Sequence, residues 1–176
     1  MTDARSAFTL MACNNAYANT CLLAACSALT PQEYAAPRTS FFPSLRSTLN
    51  HLHAVDRYYI DALTRGGLGS HAFYDAPDFS TADAMRPAQT MLDQRLIRFC
   101  EDLPVQAQQS TVITDRGPLG RISERIDLVL LHLFQHQIHH RGQAHAMLSG
   151  TAVKPPQLDE FFLASDGNAA NPERGR

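Results

Sequence analysis

The stretch His132-Leu-Phe-Gln-His136-Gln-Ile-His139-His140-Arg-Gly-Gln143 concentrates four of the chain's eight histidines within nine residues. On an α-helix, residues four apart project from one face with their Cβ atoms close together. His136 and His140 can therefore present two imidazoles to one metal ion, the geometry that an HExxH helix uses. His132 lies two turns from His140, on the order of 12 Å along the axis, too far to share that ion easily. Adjacent His139 and His140 differ in direction, so at most one of them joins His136. His132, His139 and His145 are expected to be structural or to orient the ligands, since a ligating imidazole needs a partner on its second nitrogen. Gln143 is expected to line the same pocket.

A pair is half a site, and the third ligand must come from another element. His51 and His53 are the candidates, and at about 100° per residue they point to opposite sides of a helix. His51 shares its side with Val55, Tyr58 and Ala62 beside an apolar stripe, whereas His53 groups with Arg46, Arg57 and Thr64. His51 is thus assigned to the interior edge and His53 to solvent. Tyr58 and Tyr59 are expected as core or pocket-wall aromatics. Arg141 is expected as a structural ion-pair or interface residue, and Gly142 as a point of close helix packing.

The elements that must hold these residues read as helices. Leu10 to Leu29, rich in Ala and Leu and free of Gly and Pro, predicts a first helix stopped at Thr30-Pro31. A connector with two prolines, Ala35 to Pro43, precedes a second helix from Ser44. Leu45, Leu49, Leu52, Val55, Tyr59 and Leu63 give it an apolar stripe, and Gly66-Gly67 ends it. Gly66 to about Asp83 has no sustained period and reads as an irregular loop. A third helix is expected from Met85 or Pro87 to Leu103, and a short β-hairpin between Gln109 and Arg121, where a β-branched run meets turn residues. Ser123, with Glu124 and Asp127, is expected to open a fourth helix that runs to Leu148. Asp159 to Leu163 is expected to add a last helical turn, and Asp166 to Arg176 to be a disordered polar tail. The fold class is all-α, a four-helix bundle with a short hairpin before its fourth helix, forming one domain over residues 1–165. Bundle cores commonly hold metal sites built from facing helices.

Composition narrows the function classes. Apolar residues make up 44% and charged residues 18%, and the formal net charge is −2. No apolar run approaches the roughly 20 residues that cross a bilayer, and the first residues lack the charged start and apolar core of a secretory signal, so a cytoplasmic location is expected. Cys13, Cys21, Cys26 and Cys100 show no CxxC spacing and read as small reduced core residues. Without a basic patch, nucleic-acid binding is not expected.

The string from His132 to Leu148 closely resembles the signature of the DinB (YfiT-like) superfamily, usually HxFNHQTHHRGQ followed by a small apolar run. Phe41-Phe-Pro-Ser-Leu-Arg-Ser-Thr-Leu-Asn-His51 with Asp56 resembles that family's second-helix motif, and Asn15-Ala-Tyr-Ala-Asn19 its first. Pro155-Pro-Gln-Leu-Asp159 and Glu160-Phe-Phe162 resemble its C-terminal segment. Gln135 stands where Asn is common and Ile138 where Thr is common. The resemblance implies a four-helix bundle whose metal is held by His51, His136 and His140, and a homodimer. It further implies zinc or nickel as the divalent metal ion, and a small-molecule substrate. Its characterised relatives include S-transferases and isomerases that use low-molecular-weight thiols, alongside suggested hydrolases. Three neutral imidazoles would leave the ion its full charge and open positions, able to lower the pKa of water to about 7 or to deprotonate a thiol. The expected function is a metal-dependent enzyme activating a small thiol or water. The alternative from another class is a non-catalytic metal-binding stress-response bundle.

Overall fold

The computed structural model describes residues 6–158. Four long helices, α1 (Ala7–Cys26), α3 (Leu45–Leu63), α5 (Ala82–Asp102) and α6 (Ile126–Leu148), form the bundle. The short helices α2 (Pro31–Ala35) and α4 (His71–Tyr74), and a hairpin of β1 (Thr111–Asp115) and β2 (Arg121–Arg125), complete it. The last helical turn and polar tail expected after residue 158 lie outside the described residues.

Local chemistry explains where the elements begin, including where they depart from expectation. α1 starts at Ala7 because the Ser6 side chain accepts the Thr9 N–H at 3.1 Å, and it ends at Cys26 rather than Leu29. Thr30-Pro31 does more than stop a helix. Thr30 and Glu33 cap each other's backbone amides, at 3.2 and 2.8 Å, and Pro31 at the first position has no N–H to lose, so α2 forms at once. Ser44 and Ser47 make the same reciprocal cap for α3. α5 begins at Ala82, ahead of Met85, because Thr81 caps Ala84 at 3.2 Å. Pro87 remains inside the helix near its start, at the loss of one backbone bond.

Ser123 and Glu124 do not open the fourth helix. Ser123 pairs with Ile113 and Glu124 with Val112 across the hairpin, so the strand outcompetes the cap. α6 then starts after Arg125 with no side-chain cap. Asp127 does lie in its first turn, where its carboxylate accepts the Leu128 N–H at 2.8 Å.

The irregular segment after α3 is pinned by Asp61. Its carboxylate accepts the amides of Leu68 and Gly69 at 2.9 and 3.3 Å. A Cβ on Gly66 would sit 2.0 Å from Asp61 Oδ1, which is why that position is glycine. The turn delivers α4 to the flank of α3, where Arg57 donates to the Ala72 carbonyl at 3.0 Å.

Two apolar clusters fill the bundle. One holds Ile60, Leu63, Leu96, Leu130 and Leu133, the other Leu22, Leu45, Met85, Met147 and Leu148. Along every long helix, a polar layer falls between the two: Asn15 and Asn19, His53 and Asp56, Gln89 and Asp93, Gln137 and Arg141, all buried. Arg141 Nη1 donates to the side-chain oxygens of Asn15, Asn19 and Gln137. Gln89 donates to Asp56 at 2.7 Å and to Asp93 at 3.1 Å. Asn19 donates to Asp93, and Gln137 to Asp56.

This layer corrects the placement of His53, which is not in solvent. It is 2% exposed, and its Nδ1 donates to Gln89 Oε1 at 2.9 Å. The one-stripe reading presumes a helix with a wet side, whereas α3 is enclosed by α5 as well as α6. Gly142 is likewise not a packing contact, since it is exposed and a Cβ there would meet nothing within 4 Å.

Burial and the nearby Asp93 push Asp56 up to about 7, and burial pushes Asp93 up to about 6. A carboxyl whose folded pKa exceeds its unfolded value stabilises fully below the unfolded value, here 3.8, and loses that contribution as pH rises through the folded one. Both hydrogen bonds to Asp93 reach Oδ1, so Asp93→Asn can keep them while removing the charge. It is expected to be about 1–3 kcal/mol more stable than the parent at pH 8, the gain fading toward pH 4. Urea unfolding at both pH values checks this, and a variant less stable at pH 8 would contradict it.

Candidate metal centre

α3 and α6 lie side by side, and Gln137 Nε2 donates to the Leu52 carbonyl at 3.3 Å between them. That register brings His51 opposite His136 and His140. Ring centroids are 5.0 Å apart for His51 and His136, 4.9 Å for His51 and His140, and 4.5 Å for His136 and His140. One ligand nitrogen from each lies within 4.8 Å of the other two.

The closest pair already has the spacing of two ligands on one ion. His51 Nε2 and His136 Nε2 are 3.0 Å apart, and two nitrogens about 2.0–2.1 Å from a shared ion sit about 3 Å apart for bond angles near 90–110°. His140 is committed through its other nitrogen. Its Nδ1–H donates to Gln143 Oε1 at 2.8 Å, which leaves the Nε2 lone pair free to ligate. Gln143 Nε2 in turn donates to His139 Nε2 at 2.9 Å, so His139 steadies the amide from the exposed side.

The environment keeps His51 and His136 neutral. Burial, with His140 nearby, lowers His51 to about 4, and burial with its four histidine neighbours lowers His136 to about 3. His136 Nδ1 is buried with no hydrogen-bond partner. Neutral imidazoles with available lone pairs are the form that metals bind, and the donor set therefore suits a divalent cation. The buried thiols do not compete, because burial pushes Cys26 and Cys100 up to about 12.

The other expected residues divide. His132 is exposed, 6.0 Å from the His136 ring and 5.3 Å from Tyr59. Tyr58 is turned away from the histidines, its hydroxyl donating to the Asp115 carbonyl at 2.9 Å. His145 hydrogen bonds through Nε2 to the Pro156 carbonyl at 3.0 Å, a structural role. Arg141 pairs with amide oxygens of the buried layer rather than directly with a carboxylate.

Sequence reasoning did not single out the aromatic rim. Phe42 lies 4.4 Å from His51 and 5.4 Å from His140, Phe41 lies 6.1 Å from His140, and Phe73 lies 6.2 Å from His51. These residues come from a proline-bounded connector and a four-residue helix, where no periodicity marks a face. Only the two adjacent phenylalanines before Pro43 offered a signal.

Gln143→Leu removes the acceptor that fixes the His140 tautomer. It is expected to weaken zinc affinity about 10- to 100-fold, read by competition with a chelating dye, while Gln143→Glu retains most of the affinity.

A helical bundle in which α3 and α6 bring three histidines together beside an aromatic rim is compatible with metal binding. The chain belongs to the DinB family, whose family model matches residues 1–172. A comparison with curated proteins finds no match. Among the described residues, no helix is long and apolar enough to cross a membrane.

Proposed function

We propose that the protein is a divalent-metal-dependent enzyme acting on a small molecule by S-transfer, isomerisation or hydrolysis, with a low-molecular-weight thiol or water as the activated reactant. His51, His136 and His140 hold the metal, with zinc or nickel as the candidates, since both suit imidazole. The observation that carries this reading is the convergence of three nitrogens, one from α3 and two from α6, within 4.8 Å.

A divalent ion held only by neutral imidazoles keeps its charge and acidifies water or a thiol bound to it. The chain's own residues do the rest. Gln143 fixes the direction of His140, and Phe41, Phe42 and Phe73 bound the approach to the site. His132, exposed beside His136, lies at the edge of the site. A purely structural metal accounts for less, because three imidazole ligands leave the ion an open position, the arrangement of catalytic rather than closed structural sites. The resemblance to homodimeric relatives adds a two-copy assembly to the proposal.

Titrating nickel-loaded protein with a small thiol tests the reading. A sulfur-to-nickel charge-transfer band, absent in His51→Ala, is expected. A loaded centre that accepts neither thiol nor exchangeable water, the latter followed by proton relaxation, would overturn the catalytic proposal.

A further inference from the structure

α6 also lines a second feature, apart from the three clustered histidines. A cavity of about 510 Å³ lies between α1 and the C-terminal half of α6, with Met11 and Asn14 on one wall and Ile138, Gly142 and His145 on the other. It is open and apolar. Ile138 is 54% exposed, and a Cβ on Gly142 would meet nothing within 4 Å. It also holds an unmet polar demand, because Asn14 Oδ1 is buried without a hydrogen-bond partner.

The chain itself is led there. The His145 side chain holds the Pro156 carbonyl at 3.0 Å, and Leu158, the last described residue, forms part of the cavity wall. The sequence continues Asp159-Glu160-Phe161-Phe162-Leu163 before turning polar. Five extended residues reach about 16 Å, enough to cross such a cavity. Their three apolar side chains match its lining.

We propose that residues 159–163 are the occupant of this cavity. Phe161, Phe162 and Leu163 enter it, a backbone N–H of the segment satisfies Asn14, and the segment braces the half of α6 that carries His140.

The test uses the full-length chain with a metal chelator present, so that it stands or falls apart from the metal centre. In Phe161→Ser/Phe162→Ser, the thermal midpoint is expected to fall by roughly 5 °C. Amide hydrogen exchange is expected to quicken over residues 8–16 and 138–148. Gly142→Leu gives an independent check. An empty cavity would accept leucine without loss, whereas a docked segment would be displaced, with the same quickened exchange. Unchanged midpoints and exchange in both variants would overturn the proposal. So would protection of residues 138–148 that depends on protein concentration, since a second copy would then be the cover, or protection that appears only with an added small molecule.

Discussion

Replacing His136 by Ala is expected to lower zinc or nickel affinity by about two orders of magnitude or more. Structural zinc sites gain about 10–16 kcal/mol from four ligands, so each ligand carries about 3 kcal/mol, and 1.4 kcal/mol is a factor of ten. Of the three proposed ligands, His136 has the most to lose. Its Nε2 faces His51 Nε2 at 3.0 Å, and its ring is the closest to His140, at 4.5 Å. The metal-free protein is expected to tolerate the same change to within about 1 kcal/mol, because the lost packing is offset by removal of a buried nitrogen that has no partner. Isothermal titration and thermal unfolding with and without metal separate the two effects. His132→Ala, which removes an exposed neighbour, should leave affinity near the parent value.

The second large effect concerns the polar layer. Arg141→Ala is expected to destabilise the fold by about 3–5 kcal/mol, because it leaves Asp56 and Asp93 buried without their cation and strips a donor from Asn15, Asn19 and Gln137. For a chain of this size, that is a drop in thermal midpoint on the order of 10 °C. The loss should be smaller at pH 5 than at pH 8, since Asp56 and Asp93 are the groups whose folded pKa values are raised, to about 7 and about 6, and protonation removes the uncompensated charge. Equal losses at both pH values would place the damage in packing instead of charge.

These two sites differ in how far they could be read from the residues. The spacing of His136 and His140 is a property of one helix. His51 follows from the stripe of α3, whose start Ser44 marks locally. The polar layer is a property of four helices at once, and nothing in the α3 sequence alone says that the side opposite its apolar stripe is covered. His53 therefore reads as wet, although α5 brings Gln89 to it. Ser123 failed as a cap for a related reason, since its partner Ile113 lies across a hairpin ten residues back. The hairpin was visible in its β-branched first strand, but the second strand, Arg-Ile-Ser-Glu-Arg, carries no such run. The phenylalanine rim depends on where a connector and a short helix come to rest, which is settled by tertiary contacts such as Arg57 to Ala72.

The most direct test of the central claim is the metal content of protein purified without a histidine tag, incubated with excess zinc or nickel and desalted. About one divalent ion per chain is predicted for the parent, and less than about a tenth of that for His51→Ala, which removes the one candidate ligand outside α6 among the described residues. A parent that retains no ion, or a His51→Ala variant that retains as much as the parent, would contradict a centre built from His51, His136 and His140.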